Sequence, residues 1–142
     1  MKIIESVKEI QEYCQQLKRE GKTIASVDTD GELHDGHMTL VKIAKENADV
    51  TILSVCHGFH YLEMPEEKYD FIRSRGMFDE VVVSRFVHSL WTWFPPFYVL
   101  TPDICMVGQK DVYQNFAIKS LIKQLNLPIE VVIAPIIRDP DG

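Results

Sequence analysis

Apolar residues along this chain follow two spacings, one typical of helices and one typical of buried strands. Residues 5–20 carry apolar side chains at helical spacing, and Gly21 is the stop that follows them. Residues 50–56 form a run rich in β-branched side chains, which is typical of a strand covered on both faces. The same criteria predict helices over residues 37–47, 65–76 and 111–125, and strands over residues 23–27, 79–84, 104–107 and 129–133. In the last helix, the side chains expected to face inward are Phe116, Leu121, Ile122 and Leu125.

Strands that alternate with helices indicate right-handed crossovers and a parallel sheet. We therefore predict an α/β fold in which residues 1–142 form a single Rossmann-like domain. Its doubly wound, five-stranded parallel sheet should carry helices on both faces. In such sheets, ligands bind beyond the carboxyl ends of the strands. The segments predicted at that edge are residues 34–37, the loop after residue 56, residues 108–111 and the tail after residue 133.

Composition narrows the class of protein. The chain has 142 residues, of which 46% are hydrophobic, enough for one core. A net charge of −6 argues against nucleic-acid or membrane-surface binding. No apolar run is long enough to span a membrane, and no signal peptide is recognisable, so we expect a cytoplasmic protein. The three cysteines are widely spaced in apolar surroundings, which favours buried, reduced thiols over a disulfide frame or a zinc site.

A His-Asp-Gly-His turn precedes the second predicted helix. A helix start offers unpaired N–H groups and the positive end of the helix dipole, and His34 and His37 add two further donors. This pattern suits a phosphate whose charge grows during a reaction. Four carboxylates nearby oppose it: Asp28, Asp30, Glu32 and Asp35. These carboxylates allow three interpretations of the turn: a phosphate site that depends on magnesium, a site for a cationic ligand, or a site that has lost catalysis. No protein metal site is predicted, because His57 and His60 lack further ligands at metal-binding spacing.

Several ordered motifs resemble one family. The pattern T-x-G-x-L-H-x-G-H is matched from Thr29 through Gly36 to His37, and residues 108–114 read GQKDVYQ, close to Gly-Glu-Lys-Asp-x-x-Gln. The later stretch LNLPIEVV…PIIRDPDG is similar to the strand and loop that follow in the same family. The family is pantothenate synthetase (pantoate–beta-alanine ligase), within the nucleotidyltransferases that carry a histidine-x-glycine-histidine motif. The resemblance covers residues 1–56 and 103–142.

The resemblance implies ATP-dependent adenylation of a small acid, with Mg²⁺ and with release of pyrophosphate. Members activate the carboxylate of pantoate, which the amine of β-alanine then attacks. By position, His34 and His37 would hold the triphosphate, with Thr29 and Gly36 in the same motif, and Lys110 would bind phosphate. Gly108, Asp111 and the backbone at Ile137 would contact ribose and adenine. Gln114 would hydrogen-bond the hydroxy acid.

The chain also departs from that family. The family loop Pro-Thr-Met-Gly-Ala here reads Asp28-Thr29-Asp30-Gly31-Glu32, which adds three negative charges. Tyr61 stands where the family has one of two pantoate-binding glutamines. The middle segment is short, and residue 142 precedes the family's Ser-Ser-Arg-Asn loop and its C-terminal lid domain. We therefore expect a diverged or truncated member.

The middle of the chain leaves two alternative functions open. The stretch PEEKYDFIRSRGMFDEVVV is similar to a segment of small cytidylyltransferases, which would use CTP and a phosphorylated alcohol. A non-catalytic descendant that serves as a binding or assembly module is the other alternative.

Residues 86–98 are rich in aromatic rings, and Pro95-Pro96 argues against a continuous helix there. We expect this segment to form a partly buried wall with a homodimer contact; a substrate pocket lined by Trp91 or Trp93 is less favoured.

Overall fold

A parallel sheet forms the centre of the computed structural model, which describes residues 2–29, 33–57, 70–71, 74, 82–87 and 94–138. The strands in these residues are β1 (Lys2–Ile4), β2 (Ile24–Thr29), β3 (Val50–His57), β4 (Val82–Val87), β5 (Ile104–Gly108) and β6 (Glu130–Ala134). Their order across the sheet is β1-β4-β3-β2-β5-β6, and every neighbouring pair is parallel. The predicted parallel α/β fold is confirmed.

Helices cover both faces of the sheet, as predicted. The helices with described bounds are α1 (Val7–Arg19), α2 (Asp35–Asn47), α3 (Phe94–Leu100) and α4 (Val112–Gln124). Helix α2 packs on one face, where Val41 and Ala44 meet Val27 and Leu53. Helices α1, α3 and α4 pack on the opposite face, in two clusters that contain Ile24 and Cys105.

The described sheet has six strands, whereas five were predicted. The additional strand is β1, which pairs with β4 so that Lys2 lies opposite Val82. The sequence prediction treated this segment as the approach to the first helix, because three residues are too few to show the period of a strand. Ile4 is buried, and helix α1 begins only after Ser6, whose hydroxyl accepts a hydrogen bond from the N–H of Glu9 at 3.4 Å.

The proline pair lies at the start of a short helix, and no continuous helix spans residues 86–98, because residues 86 and 87 belong to strand β4. Pro95 and Pro96 occupy the first turn of α3, where a missing N–H costs no intrahelical hydrogen bond. Phe97 is buried against the sheet, and Tyr98 is 65% exposed. Trp91 and Trp93 lie outside the described residues, and the homodimer contact stays a prediction.

Helix α4 is present, but its buried face is rotated from the predicted one. Ile122 is buried and Leu121 is partly buried, as predicted, but the other buried side chains are Asn115 and Ile118. Phe116 is 76% exposed and Leu125 is 46% exposed, so both were wrongly assigned to the core. The helix carries apolar side chains on more than one face, so its hydrophobic pattern does not fix which face is buried.

The described residues test the predictions for the third helix and for the cysteines only in part. Of the helix predicted over residues 65–76, the described residues Asp70, Phe71 and Ser74 are helical. Cys14 and Cys105 are buried free thiols, and burial raises the pKa of Cys14 to about 11. No helix in the described ranges is long and apolar enough to cross a membrane.

Candidate functional site

The candidate site lies where the winding of the sheet reverses direction. From β2 the chain proceeds through β3 to β4 on one side, and from β5 to β6 on the other. The carboxyl ends of β2 and β5 are adjacent, because the two strands are parallel neighbours that pair Ala25 with Ile104. This reversal is the usual ligand position in doubly wound sheets. The His34–His37 turn follows β2, and the loop from Gly108 to Asp111 follows β5.

The two histidines are held together at the start of α2. His34 is the residue before the first helical position, and its carbonyl accepts hydrogen bonds from the N–H groups of His37 at 2.9 Å and Met38 at 3.3 Å. The two imidazole rings stack with their centroids 4.0 Å apart. The His34 side chain makes no capping hydrogen bond to the helix. Both histidines therefore belong to the start of α2, where unpaired N–H groups and the helix dipole favour an anion.

Gly36 is required by the position of the His34 ring. A Cβ atom at residue 36 would lie 2.7 Å from Cε1 and 2.8 Å from Nδ1 of His34. Both distances are shorter than an ordinary van der Waals contact, so any larger residue would displace the ring. The glycine of the motif thus allows the stacked pair to form.

Asp28 faces away from helix α2. Side chains alternate along β2, so Val27 packs under α2 while Ser26 and Asp28 point to the opposite face. The Ser26 hydroxyl donates a hydrogen bond to Oδ2 of Asp28 at 3.2 Å. Burial raises the pKa of Asp28 to about 6, although hydrogen bonds with Ser54 and Ser26 act in the opposite direction. One of the three added charges therefore points away from the face that carries the histidines. Asp30 and Glu32 lie outside the described residues.

The second loop presents charged side chains at the same edge. Lys110 and Asp111 are exposed, and Gln114 in the first turn of α4 is partly buried. Asp111 is the residue before α4, yet its carboxylate makes no capping bond, and no ion pair joins it to Lys110 in the described part of the chain. The backbone N–H of Gln109 donates to the carbonyl of Ala134 at 2.9 Å, which ties this loop to the end of β6.

The remaining predicted residues lie in different places. Thr29 is buried at the end of β2, and Ile137 is half exposed a few residues after β6. Tyr61 lies outside the described residues. No group of three metal-ligating side chains occurs within the ranges that the structure describes. A groove of about 340 Å³ beside α4, lined in part by Lys119, Lys123 and Val131, contains none of the predicted site residues.

Sequence reasoning missed one buried polar residue beside this loop. The side-chain Nδ2 of Asn115 donates to the carbonyl of Gly108 at 2.9 Å. The available signal was a polar amide three residues before Ile118 and seven before Ile122, which places it on the buried face of α4.

A switch-point site on a doubly wound parallel sheet defines the class as Rossmann-like α/β domains. The model of the pantoate-beta-alanine ligase family matches residues 2–58 and 94–142. The chain belongs to this family.

The relatives agree with this assignment. Pantothenate synthetases from Caldicellulosiruptor bescii and Carboxydothermus hydrogenoformans are 30% and 31% identical to the whole chain. The chain spans 64% of the length of each of these curated relatives. Each alignment extends over 182 positions, so the relatives carry extra residues within the matched region.

The fold also matches a solved structure. The pantoate-beta-alanine ligase from Francisella tularensis, solved with beta-gamma ATP and beta-alanine, superposes with a TM-score of 0.80 at 20% identity. That match covers the whole chain and 69% of the solved one. At this identity the likeness concerns the fold alone.

Proposed function

We propose that this chain activates a small carboxylic acid by ATP-dependent adenylation. The observation that carries the proposal is the meeting of two elements at the switch point of the sheet. These are the stacked His34–His37 pair at the start of α2 and the exposed Lys110 and Asp111 of the neighbouring loop.

In the proposed reaction, a carboxylate oxygen of the acid attacks the α-phosphorus of ATP. The bond from that phosphorus to the bridging oxygen breaks, and pyrophosphate leaves with both electrons of the bond. The imidazoles of His34 and His37 and the ammonium of Lys110 stabilise the negative charge that grows on the phosphates. The loss of the pyrophosphate group leaves an acyl adenylate, which an amine can attack in a second step.

Other residues of the chain would hold the two substrates. Asp111 offers a carboxylate that is not used to cap α4 and can accept hydrogen bonds from ribose hydroxyls. Gly108 and the backbone at Ile137 flank the position proposed for the adenosine. Gln114 would bind the acid, and Tyr61 replaces the second amide that the family uses for pantoate.

Magnesium fits this site as an ion held mainly by the substrate. Mg²⁺ is usually bound by one or two carboxylates together with phosphate oxygens, and Asp35 supplies an exposed carboxylate in the first turn of α2, beside the histidine pair. Its contribution would be to neutralise phosphate charge. This matches the first of the three interpretations of the acidic residues.

Calorimetric titration with ATP and with CTP, each with and without Mg²⁺, tests the proposal. We expect binding of ATP that depends on Mg²⁺, whereas preference for CTP would indicate cytidylyl transfer. A lack of binding by either nucleotide would indicate a non-catalytic descendant.

A matched pair of lysine variants locates the site. Lys110→Ala should weaken ATP binding about tenfold, because it removes a charge-assisted contact to phosphate. Lys123→Ala removes an exposed lysine in the last turn of α4 and should leave ATP binding unchanged. Equal effects of the two substitutions would contradict the proposed site. His37→Ala should abolish acid-dependent release of pyrophosphate.

A further inference from the structure

Asn115 is a buried amide beneath the loop that carries Lys110 and Asp111. Its side chain is 6% exposed, and its Nδ2 donates to the Gly108 carbonyl at 2.9 Å. The same carbonyl also accepts the N–H of Asp111 at 3.3 Å. One side chain of α4 therefore holds the end of β5, and both ends of the loop meet at a single carbonyl oxygen.

The side-chain oxygen of Asn115, Oδ1, lowers the stability of the folded protein. A carbonyl oxygen can only accept hydrogen bonds, so the contact with Gly108 identifies the inward nitrogen and fixes the orientation of the amide. Oδ1 is then enclosed, and it accepts no hydrogen bond in the described part of the chain. A buried acceptor without a donor costs folding free energy. A leucine of similar volume would avoid this cost, so stability alone does not explain an asparagine here.

The capping arrangement of α4 suggests a positional role. Asp111 occupies the position before the helix, where aspartate usually accepts a hydrogen bond from the first turn. Here it makes no such bond. The backbone N–H of Asn115 donates to the Asp111 carbonyl at 2.9 Å, as any residue at this position of the helix would, so the asparagine itself adds only the side-chain bond to Gly108. The Asp111 carboxylate stays exposed, and the loop is held to α4 through the Asn115 side chain instead of through a side-chain cap.

We propose that Asn115 is a positioning residue for nucleotide binding. It fixes the loop from Gly108 to Asp111 so that Lys110 and Asp111 present their side chains to ATP. This inference rests on the proposed function for its ligand, and on the hydrogen bonds of Asn115 for its geometry.

Asn115→Leu separates positioning from stability. The substitution removes both the donor to Gly108 and the unsatisfied oxygen, so the melting temperature should stay the same or rise. The amide hydrogens of residues 109–111 should exchange at least about tenfold faster, because the loop loses its tie to α4. The Kd for ATP with Mg²⁺ should rise about tenfold, as expected when one fixed contact is lost.

Thr51→Val is the matched control. Thr51 is 2% exposed in β3, and its hydroxyl oxygen is also buried without a hydrogen-bond partner. This substitution should likewise raise the melting temperature. It should leave amide exchange at residues 109–111 and the Kd for ATP unchanged, because Thr51 is remote from the loop.

The outcomes are distinguishable. Unchanged loop exchange in Asn115→Leu would overturn the inference, and so would an unchanged Kd for ATP. If the wild-type protein binds no ATP, the proposed function fails, while loop exchange still decides whether Asn115 holds the loop. Asn115→Ala also removes the donor and cannot overpack the site, so it gives the same exchange and Kd test if the leucine variant does not fold.

Discussion

The contact between Gly36 and His34 gives the sharpest test of the histidine site. In Gly36→Ala, the new Cβ would lie 2.7 Å from Cε1 of His34, whereas an ordinary contact is at least 3.4 Å, so the ring must move by about 0.7 Å. The ring is exposed and can rotate away, and this movement breaks its stacking with His37. Alanine at this position introduces no backbone strain, because residue 36 is helical and has no positive φ.

The expected effects on stability and binding have opposite signs. Alanine is favoured over glycine inside a helix by about 0.5–1 kcal/mol, so the melting temperature should rise by about 2–3 °C or stay unchanged. The displaced imidazole loses a charge-assisted contact to phosphate worth about 1.5–3 kcal/mol, so the Kd for ATP should rise at least about tenfold. Differential scanning fluorimetry and calorimetric titration measure the two quantities.

A second glycine supplies the control. Gly21 has a φ of 74°, and nothing lies within 4 Å of a Cβ built there. Gly21→Ala should destabilise the fold by about 1 kcal/mol through backbone strain and leave ATP binding unchanged. If Gly36→Ala binds ATP as tightly as the wild type, the proposed role of the stacked histidines is refuted. If Gly36→Ala unfolds at a lower temperature, the reasoning about the helix backbone is wrong.

Two further predictions concern pH and stability. Burial raises the pKa of Asp28 from 3.8 to about 6, so the folded state binds a proton that the unfolded state releases in this interval. The free energy of unfolding should therefore fall by about 2 kcal/mol as pH rises from about 4 to about 6, and urea denaturation of Asp28→Asn should lack this component. At the other end of the sheet, Asp103 accepts hydrogen bonds from Lys18 and from the backbone N–H of Ile24, both at 2.8 Å. Asp103→Ala should cost about 2 kcal/mol in urea denaturation, mainly by leaving the N–H of Ile24 unpaired; Asp103→Asn keeps an acceptor and should cost less than about 1 kcal/mol.

The sequence predicted the parts of the fold that repeat a strong local pattern. Helix α2 shows a clear helical period and strand β3 a continuous run of β-branched residues, and the histidine turn lies between two elements of obvious type. The convergence of the His34 turn with the loop at Gly108 followed from the parallel sheet alone, because adjacent parallel strands end at the same edge.

The features that were missed depend on tertiary contacts. Strand β1 is defined by its pairing with β4, which three residues cannot signal on their own. The buried face of α4 was misjudged because the helix exposes Phe116 and buries Asn115. The face of the sheet on which the Asp28 side chain lies could be read only from the structure. A shift of one residue in the register of β2 would turn this side chain to the other face.

The segment between the two matched regions bears on the choice of acid. The family model matches residues 2–58 and 94–142 but not residues 59–93, which follow β3 along the chain. The proposed nucleotide-binding residues fall in the matched regions, whereas Tyr61 and the stretch that resembles cytidylyltransferases fall in the unmatched one. We therefore expect nucleotide binding to follow the family more closely than recognition of the acid.

The central claim is that ATP binds between the start of α2 and the loop after β5. Titration of the isotopically labelled protein with ATP and Mg²⁺, followed through backbone amide NMR signals, tests this claim directly. The account predicts that the largest shifts occur at residues 34–38 and 108–114, with little change in the groove at Lys119 and Lys123. Shifts confined to that groove, or no shifts at saturating nucleotide, would contradict it.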